Sequence, residues 1–138
     1  MLRQQTVTQY SVVVPNEPGE LARVTHLLTE EGVNLEGVIS VNVGDTSNVQ
    51  FVAGRSDGLR RRLEDAGLRV LENQVFHIQL RREPEELNRL ATALCDDGIN
   101  ILSLYGNLDG ELVKLVLAVD RPERAAAVLS RLRVPAAR

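Results

Sequence analysis

Apolar and polar residues follow one another along this chain in an order that predicts alternating strands and amphipathic helices. Residues 6–14 are rich in branched and apolar side chains and lead into a loop at 15–19. The next segment has an apolar stripe with the spacing of a helix, and Gly32 just after it can adopt the positive φ that ends one. The stripe consists of Leu21, Val24, Leu27 and Leu28.

The same alternation continues to residue 72. Two branched, apolar-rich runs at 35–43 and 49–53 flank a segment dense in turn-forming residues, which predicts a hairpin. A second helix then ends at Gly67, and residues 68–72 form a fourth strand. The segment up to residue 72 therefore has the order strand, helix, two strands, helix, strand.

This pattern occurs twice. Shifting the chain by 66 residues aligns residues 16–35 with residues 82–101 without a gap, so each copy is one structural unit. We therefore predict two domains, 1–73 and 74–138, which are closely coupled because almost no linker separates them. Seven residues in the first copy have identical counterparts in the second: Glu17, Pro18, Glu20, Leu21, Arg23, Gly32 and Asn34 match Glu83, Pro84, Glu86, Leu87, Arg89, Gly98 and Asn100.

Two features of the repeat are irregular. The second copy stops before a full fourth strand, while residues 3–8 stand at the offset that would supply one, so we hypothesise that the N-terminal segment fills the vacant position. Both copies also place acidic pairs at the end of the first helix, where the helix dipole favours cations. These pairs are Glu30 with Glu31 and Asp96 with Asp97.

The first loop carries a family resemblance. Asn16, Pro18, Gly19 and Leu21 form the pattern N-x-P-G-x-L, and after the helix comes G-V-N-L. This resembles the ACT domain, a small regulatory module, and the whole chain resembles stand-alone proteins with two ACT domains in tandem. The resemblance implies an α+β fold of two ferredoxin-like βαββαβ units, each an antiparallel sheet with helices on one face. It also implies binding of amino acids or similar effectors, usually by paired domains.

The residues of the first loop also favour ligand binding on chemical grounds. The N–H groups that open a helix have no partner within it, which suits the carboxylate of an amino acid. Asn16 and Asn34 supply amides, and Gly19 permits close approach. The structural alternative is that Pro18 and Gly19 only shape the turn and that Asn34 only ends a helix. The resemblance implies that the loop and the start of the second strand contact the effector at a domain interface. The predicted ligand-binding residues are Asn16, Glu17, Pro18, Gly19, Glu20, Leu21, Asn34, Leu35, Asn100 and Ile101.

The second copy departs from the motif. Glu85 replaces the loop glycine and Arg82 replaces the asparagine. Arg81 and Arg82 could attract an anion, but a solvated charged loop is the favoured interpretation. We therefore predict one good site per chain, in the first copy.

Composition and side-chain chemistry argue against other classes. A net charge of −3 without a basic stripe disfavours nucleic-acid binding, as does the shortage of aromatics for an RNA-binding sheet, which has only Tyr10, Phe51, Phe76 and Tyr105. The single cysteine fits a reducing compartment, and no apolar run approaches a membrane span or a signal core. We expect a cytoplasmic protein without a membrane partner.

An enzyme is not expected. His26 and His77 lack a nucleophile or second ligand at a recognisable spacing, so no catalytic residue, metal or cofactor is predicted. The leading hypothesis is a metabolite sensor that binds an amino acid, pairs its domains in response and regulates an unidentified enzyme. We expect a homodimer, since helices on one sheet face leave the other face and the edges to be covered. The alternative is a structural or assembly module with the same fold and no ligand.

Overall fold

A computed structural model describes residues 3–53 and 58–132 of the chain, and this part contains six strands and four helices. Strands and helices alternate in the predicted order, which confirms the α+β fold of two ferredoxin-like βαββαβ units. The elements are β1 (Arg3–Pro15), α1 (Glu20–Glu30), β2 (Leu35–Val43), β3 (Thr46–Ala53), α2 (Leu59–Asp65), β4 (Arg69–Arg81), α3 (Pro84–Asp96), β5 (Ile101–Asp109), β6 (Leu112–Val119) and α4 (Pro122–Arg131).

The sequence repeat is also a structural repeat. β4, β5 and β6 begin and end 66 residues after β1, β2 and β3. β1 and β4 each have 13 residues, far more than the five or six of an average strand. Each of these long strands is divided between two compact units, β1 between residues 7 and 8 and β4 between residues 73 and 74.

Residues 8–73 form one compact unit, which we call the first unit. Its strand order is β2-β3-β1-β4, with residues 8–15 of β1 and 69–73 of β4. β3 pairs antiparallel with β1 from Gln9↔Val52 to Pro15↔Thr46, and with β2 from Leu35↔Ala53 to Val43↔Thr46. β3 thus lies between β1 and β2 along its whole length.

The second unit consists of the described residues from 74 onward together with residues 3–7. Its strand order is β1-β4-β6-β5, and β6 pairs antiparallel with both β4 and β5. The start of β1 thus completes this sheet, which is the position that the hypothesis gave to the N-terminal segment. The division into separable domains at residue 73 remains a prediction.

The helices of each unit pack on one sheet face around an apolar core. In the first unit the rings of Tyr10 and Phe51 stack with centroids 5.4 Å apart, and Val24, Leu27 and Leu28 join them. In the second unit the core includes Phe76, Ile78, Leu80, Leu90, Leu94, Leu117, Val128 and Leu129.

Both copies expose one residue of the predicted helical stripe. Leu21 is 46% exposed and its counterpart Leu87 is 43% exposed, so the buried stripe begins one turn later than predicted. Both residues lie in the first turn of their helices, at the margin of the stripe. Burial there depends on the packing partner as well as on helical period.

Gly106 allows β5 and β6 to approach closely. It pairs with Leu115, and a Cβ atom on Gly106 would lie 1.9 Å from the carbonyl oxygen of Lys114. The first unit has Ser40 at the equivalent position, paired with Val49. Local strand geometry therefore differs between the two hairpins, and only the second requires glycine here.

We expect Gly106→Ala to lower the free energy of unfolding by at least about 2 kcal/mol, because the added methyl group forces the two backbones apart. The matched control Ser40→Ala should change it by about 0.5 kcal/mol or less, as an exposed substitution does. Chemical denaturation of both variants measures the difference. Equal stability of the two variants would contradict the close approach.

Removing residues 1–6 should destabilise the second unit selectively, because β4 then loses its strand neighbour and exposes unpaired backbone groups. Hydrogen exchange of amides in residues 75–80 should become faster. Residues 24–28 of α1 in the first unit serve as the internal control and should keep their protection. Unchanged exchange in both regions would show that the N-terminal segment contributes no strand.

Candidate functional site

The loop after β1 is tied to the hairpin that joins β2 and β3. The backbone N–H of Asn16 donates to the carbonyl oxygen of Asp45 at 2.8 Å, and its Nδ2 donates to the carbonyl oxygen of Gly44 at 3.3 Å. The N–H of Glu17 donates to the carbonyl oxygen of Pro15 at 2.9 Å. These bonds fix the loop to the hairpin, and the Gly44 bond uses one amide hydrogen of the Asn16 side chain. Residues 16–19 are exposed to solvent.

Gly19 forms the open end of this loop. Its φ of 91° is in the left-handed region, and no described residue beyond its two chain neighbours has a heavy atom within 4 Å of the position where a Cβ would stand. The first helical hydrogen bond runs from the N–H of Arg23 to the carbonyl oxygen of Gly19 at 2.9 Å, so the N–H groups of Leu21 and Ala22 precede it. The N-cap residue is Gly19, which has no side chain that could cap the helix. No partner for these two N–H groups is found among the described residues, so they can donate to a carboxylate at this positive helix end.

Glu20 contacts Arg23 beside this helix start. Arg23 places Nε and Nη2 at 3.1 and 3.0 Å from Oε2 of Glu20 and donates from Nη1 to the carbonyl oxygen of Ala66 at 3.3 Å. Ala66 is the C-cap of α2. The pair thus links the first turn of α1 to the end of α2, which gives these two residues a structural role.

Asn34 and Leu35 lie at the other end of the sheet from Asn16. Pro15 pairs with Thr46, whereas Leu35 pairs with Ala53, seven residues further along β3. That separation is about 23 Å at the rise of a strand. The expectation that Asn16 and Asn34 of one unit contact the same small ligand is therefore wrong. The two residues lie at opposite ends of the sheet because α1 and β3 each run its full length.

The second unit repeats the backbone hydrogen bond of the loop but has a helical glutamate at the position of Gly19. The N–H of Arg82 donates to the carbonyl oxygen of Glu111 at 2.9 Å, as Asn16 does to Asp45. However, α3 begins at Pro84, so Glu85 is helical where Gly19 is left-handed. Arg81 lies 3.6 Å from the carboxylate of Glu83. This loop therefore presents a charged helix turn where the first unit has an open corner.

Asn100 and Ile101 open β5, at the position that Asn34 and Leu35 occupy in the first unit. The N–H of Asn100 donates to Oδ1 of Asp120 at 3.0 Å, and the N–H of Asp120 donates back to the carbonyl oxygen of Asn100 at 3.1 Å. Ile101 pairs with Val119 and packs against the core. The main chain of Asn100 thus fixes the start of β5 to the end of β6.

The aromatic residues do not form a stacking platform. Tyr10, Phe51 and Phe76 are buried in the two cores. Tyr105 is half-buried on β5, and this burial raises its pKa to about 12. Among the described residues, no cluster of three or more His, Cys, Asp or Glu could hold a metal, and no helix is long and apolar enough to cross a membrane.

The contact between the first loop and the hairpin at Gly44 and Asp45 was missed from sequence. The composition of residues 44–48 predicted a hairpin but not its neighbour. The strand order predicts this contact, because the end of β1 lies beside the start of β3 when the two strands pair antiparallel.

Comparison with known proteins adds to these observations. A family model described as an ACT domain pair matches residues 5–134, whereas the search of curated proteins gave no match. A solved structure from Bacteroides thetaiotaomicron has a TM-score of 0.83 at 21% identity, over 93% of this chain and 89% of that chain. The ligand-free regulatory subunit of aspartate kinase from Thermus thermophilus has a TM-score of 0.71 at 16% identity, over 96% of this chain and 97% of that chain. The regulatory subunit of aspartate kinase from Thermus flavus has a TM-score of 0.70 at 18% identity, over 95% of this chain and 94% of that chain.

Proposed function

Because the chain belongs to the family of ACT domain pairs, we propose that it is a cytoplasmic sensor that binds a small effector, an amino acid, and regulates an enzyme through the pairing of its domains. The family is regulatory, and the regulatory subunits of aspartate kinase from two Thermus species share the fold. The partner we propose is accordingly an enzyme whose activity follows the effector. Catalysis by this chain is not part of the proposal.

The observation that carries the proposal is the uncapped start of α1 after Gly19. Residues 16–19 are exposed, Gly19 leaves open space, and two backbone N–H groups point from a positive helix end. An α-amino acid carries a carboxylate that fits these donors. The second unit lacks the open glycine, so we propose one effector site per chain.

The rest of the effector site comes, in this proposal, from a second copy of the chain. Asn16 binds Gly44 at the end of β2, whereas Asn34 precedes the start of β2. If the β2 strands of two chains pair antiparallel, the start of one strand lies beside the end of the other. Asn34 of one chain then approaches Asn16 of its partner, and the two-fold axis creates two equivalent sites.

The exposed side chains of β2 support this mode of dimerisation. β2 is an outer strand of its sheet, and Val38, Val41 and Val43 are 49%, 47% and 70% exposed. Leu21 on α1 is exposed as well. An outer strand of nine residues with three exposed valines is a surface that proteins normally cover.

A thermal-shift screen of the twenty proteinogenic amino acids tests the function. One of them should stabilise the protein, by roughly 2.7 kcal/mol at 100 times its Kd. If none of them shifts the unfolding temperature and the dimer is intact, the alternative of a structural or assembly module without a ligand is favoured.

Gly19→Val should abolish that shift, because the side chain fills the open space and valine strains the left-handed backbone. Glu85→Val, at the equivalent position of α3, is the matched control and should bind the effector like the wild type. A full shift with Gly19→Val would place the site elsewhere.

Val38→Lys combined with Val41→Lys should convert the dimer to a monomer, because two charges on each β2 edge repel their counterparts on the partner. Light scattering coupled to size-exclusion chromatography measures the mass, and the monomer should bind the effector weakly because half of each site is missing. Leu71→Lys, an exposed leucine on β4, controls for the loss of an exposed apolar side chain. A dimer that survives the double substitution would exclude pairing through β2.

A further inference from the structure

β2 is interrupted near its start by a bulge. Leu35 and Gly37 pair with the adjacent residues Ala53 and Val52, so β2 advances by two residues while β3 advances by one. From there to the end of β2 the register with β3 is continuous. Because β2 is the outer strand of its sheet, residues 37–43 are the regular segment that this edge offers to another strand.

The open face of this edge is apolar. Val49 and Phe51 of β3 belong to the core under the helices, so the β2 residues paired with them share that side of the sheet. Side chains alternate between the two faces of a strand, so the odd positions of the regular segment lie on the face without helices. These positions are Gly37, Ile39, Val41 and Val43, and the last two are exposed.

The equivalent edge of the second unit is polar. β5 has the same bulge at its start. Asn107 and Asp109 stand at the positions of Val41 and Val43, and Oδ2 of Asp109 lies 2.9 Å from Nζ of Lys114. The fold therefore does not require exposed valines at this edge, and their presence is particular to the first unit.

We propose that two chains pair their β2 strands in the antiparallel register that is centred on Ser40. Residues 37–43 of one chain then face the same residues of the other in reverse order, so the whole regular segment is paired. The start of each β2 comes to lie beside the partner's hairpin at Gly44 and Asp45, the residues that Asn16 binds. This inference rests on the dimer of the proposed function and does not depend on where the effector binds.

Apolar side chains match on the open face in this register. Val41 lies opposite Ile39 of the partner, and Val43 lies opposite Gly37 of the partner. Directly opposed side chains in an antiparallel pair are in contact, and an apolar pair contributes to the stability of the sheet. Gly37 has no side chain, so it leaves room for the exposed Val43.

The helix side of the paired edge is self-complementary as well. Ser40 meets its own counterpart at the two-fold axis, and each hydroxyl can donate one hydrogen bond and accept another. Val38 faces Asn42 of the partner, whose carboxamide oxygen already accepts from Ser47 of its own chain. The oxygen of Asn42 therefore does not lose a partner when it packs beside an apolar side chain.

Other registers pair less of the strand. A centre at Ile39 or Val41 also keeps each side chain on its own face, but it leaves two residues of each regular segment facing the partner's bulge or hairpin turn. Glu36 is the only charged residue of β2 and belongs to the bulge. The register centred on Ser40 therefore places no like charges opposite each other.

Disulfide cross-linking of the full chain in the Cys95→Ser background tests the register, because it removes the exposed native cysteine. A residue meets its own counterpart only on the two-fold axis, and a disulfide needs Cα atoms about 4.4 to 6.8 Å apart. After mild oxidation, Ser40→Cys should be mostly a covalent dimer on a non-reducing gel. Ile39→Cys and Val41→Cys should stay mostly monomeric on that gel, because their counterparts lie diagonally about 7 to 8 Å away.

The double variant with Ile39→Cys and Val41→Cys is the matched positive control. Each new cysteine faces the other one of the partner, so the double variant should cross-link although neither single variant does. Leu71→Cys, at an exposed position of β4, measures random cross-linking.

Cross-linking of Ile39→Cys or Val41→Cys alone, above the level of Leu71→Cys, would overturn the centre at Ser40 while leaving pairing through β2 intact. If none of the β2 variants cross-links above that level, this inference and the proposed β2 dimer both fail. The thermal-shift screen for an effector is read independently of either outcome.

Discussion

β3 pairs antiparallel with β1 on one side and with β2 on the other, and this pairing determines where each candidate contact lies. It brings the loop after β1 against the hairpin between β2 and β3, where Asn16 binds Gly44 and Asp45. It also sends the start of β2 to the far end of the sheet, next to Ala53. The outer strand β2 thus has the loop of Asn16 at its end and the amide side chain of Asn34 at its start. The proposed site, which uses both ends, therefore takes them from two copies of the chain.

The two helices of each unit are joined by an ion pair that compensates one of the two acidic residues at the end of the first helix. Oε1 of Glu30 accepts from Arg62 of α2, and Oδ2 of Asp97 lies 3.3 Å from Nε of Arg124 of α4. An acidic residue at a helix C-terminus opposes the dipole, but an arginine from the neighbouring helix compensates for it. The cation that the dipole favours is therefore supplied by tertiary structure. Because these pairs are exposed to solvent, each contributes little stability by itself.

The sequence was sufficient to predict the order of elements, the repeat and the position of the open loop. These depend on the local pattern of apolar and polar residues and on the glycine at position 19. It was not sufficient to place Asn34 relative to Asn16. The family resemblance grouped these residues as predicted contacts of one effector, and this grouping conceals that they lie at opposite ends of a unit. The exposure of Leu21 was also not predictable, since helical period says which residues share a face but not how far the partner sheet extends. Likewise, the need for glycine at Gly106 arises from the approach of two backbones, which no local pattern encodes.

Comparison of the two copies separates scaffold from site. The residues that are identical in both copies include Glu20 with Glu86 and Arg23 with Arg89. Each arginine binds its glutamate and the carbonyl oxygen at the end of the following helix. Identity between the copies therefore identifies the scaffold. The loop residue that differs is Gly19, which is left-handed and open where Glu85 is helical. In the proposed function only the first unit binds the effector, so the residues that differ between the copies are where its binding chemistry is expected. The helix dipole is present in both units, so the first unit differs from the second by the free space in front of its helix.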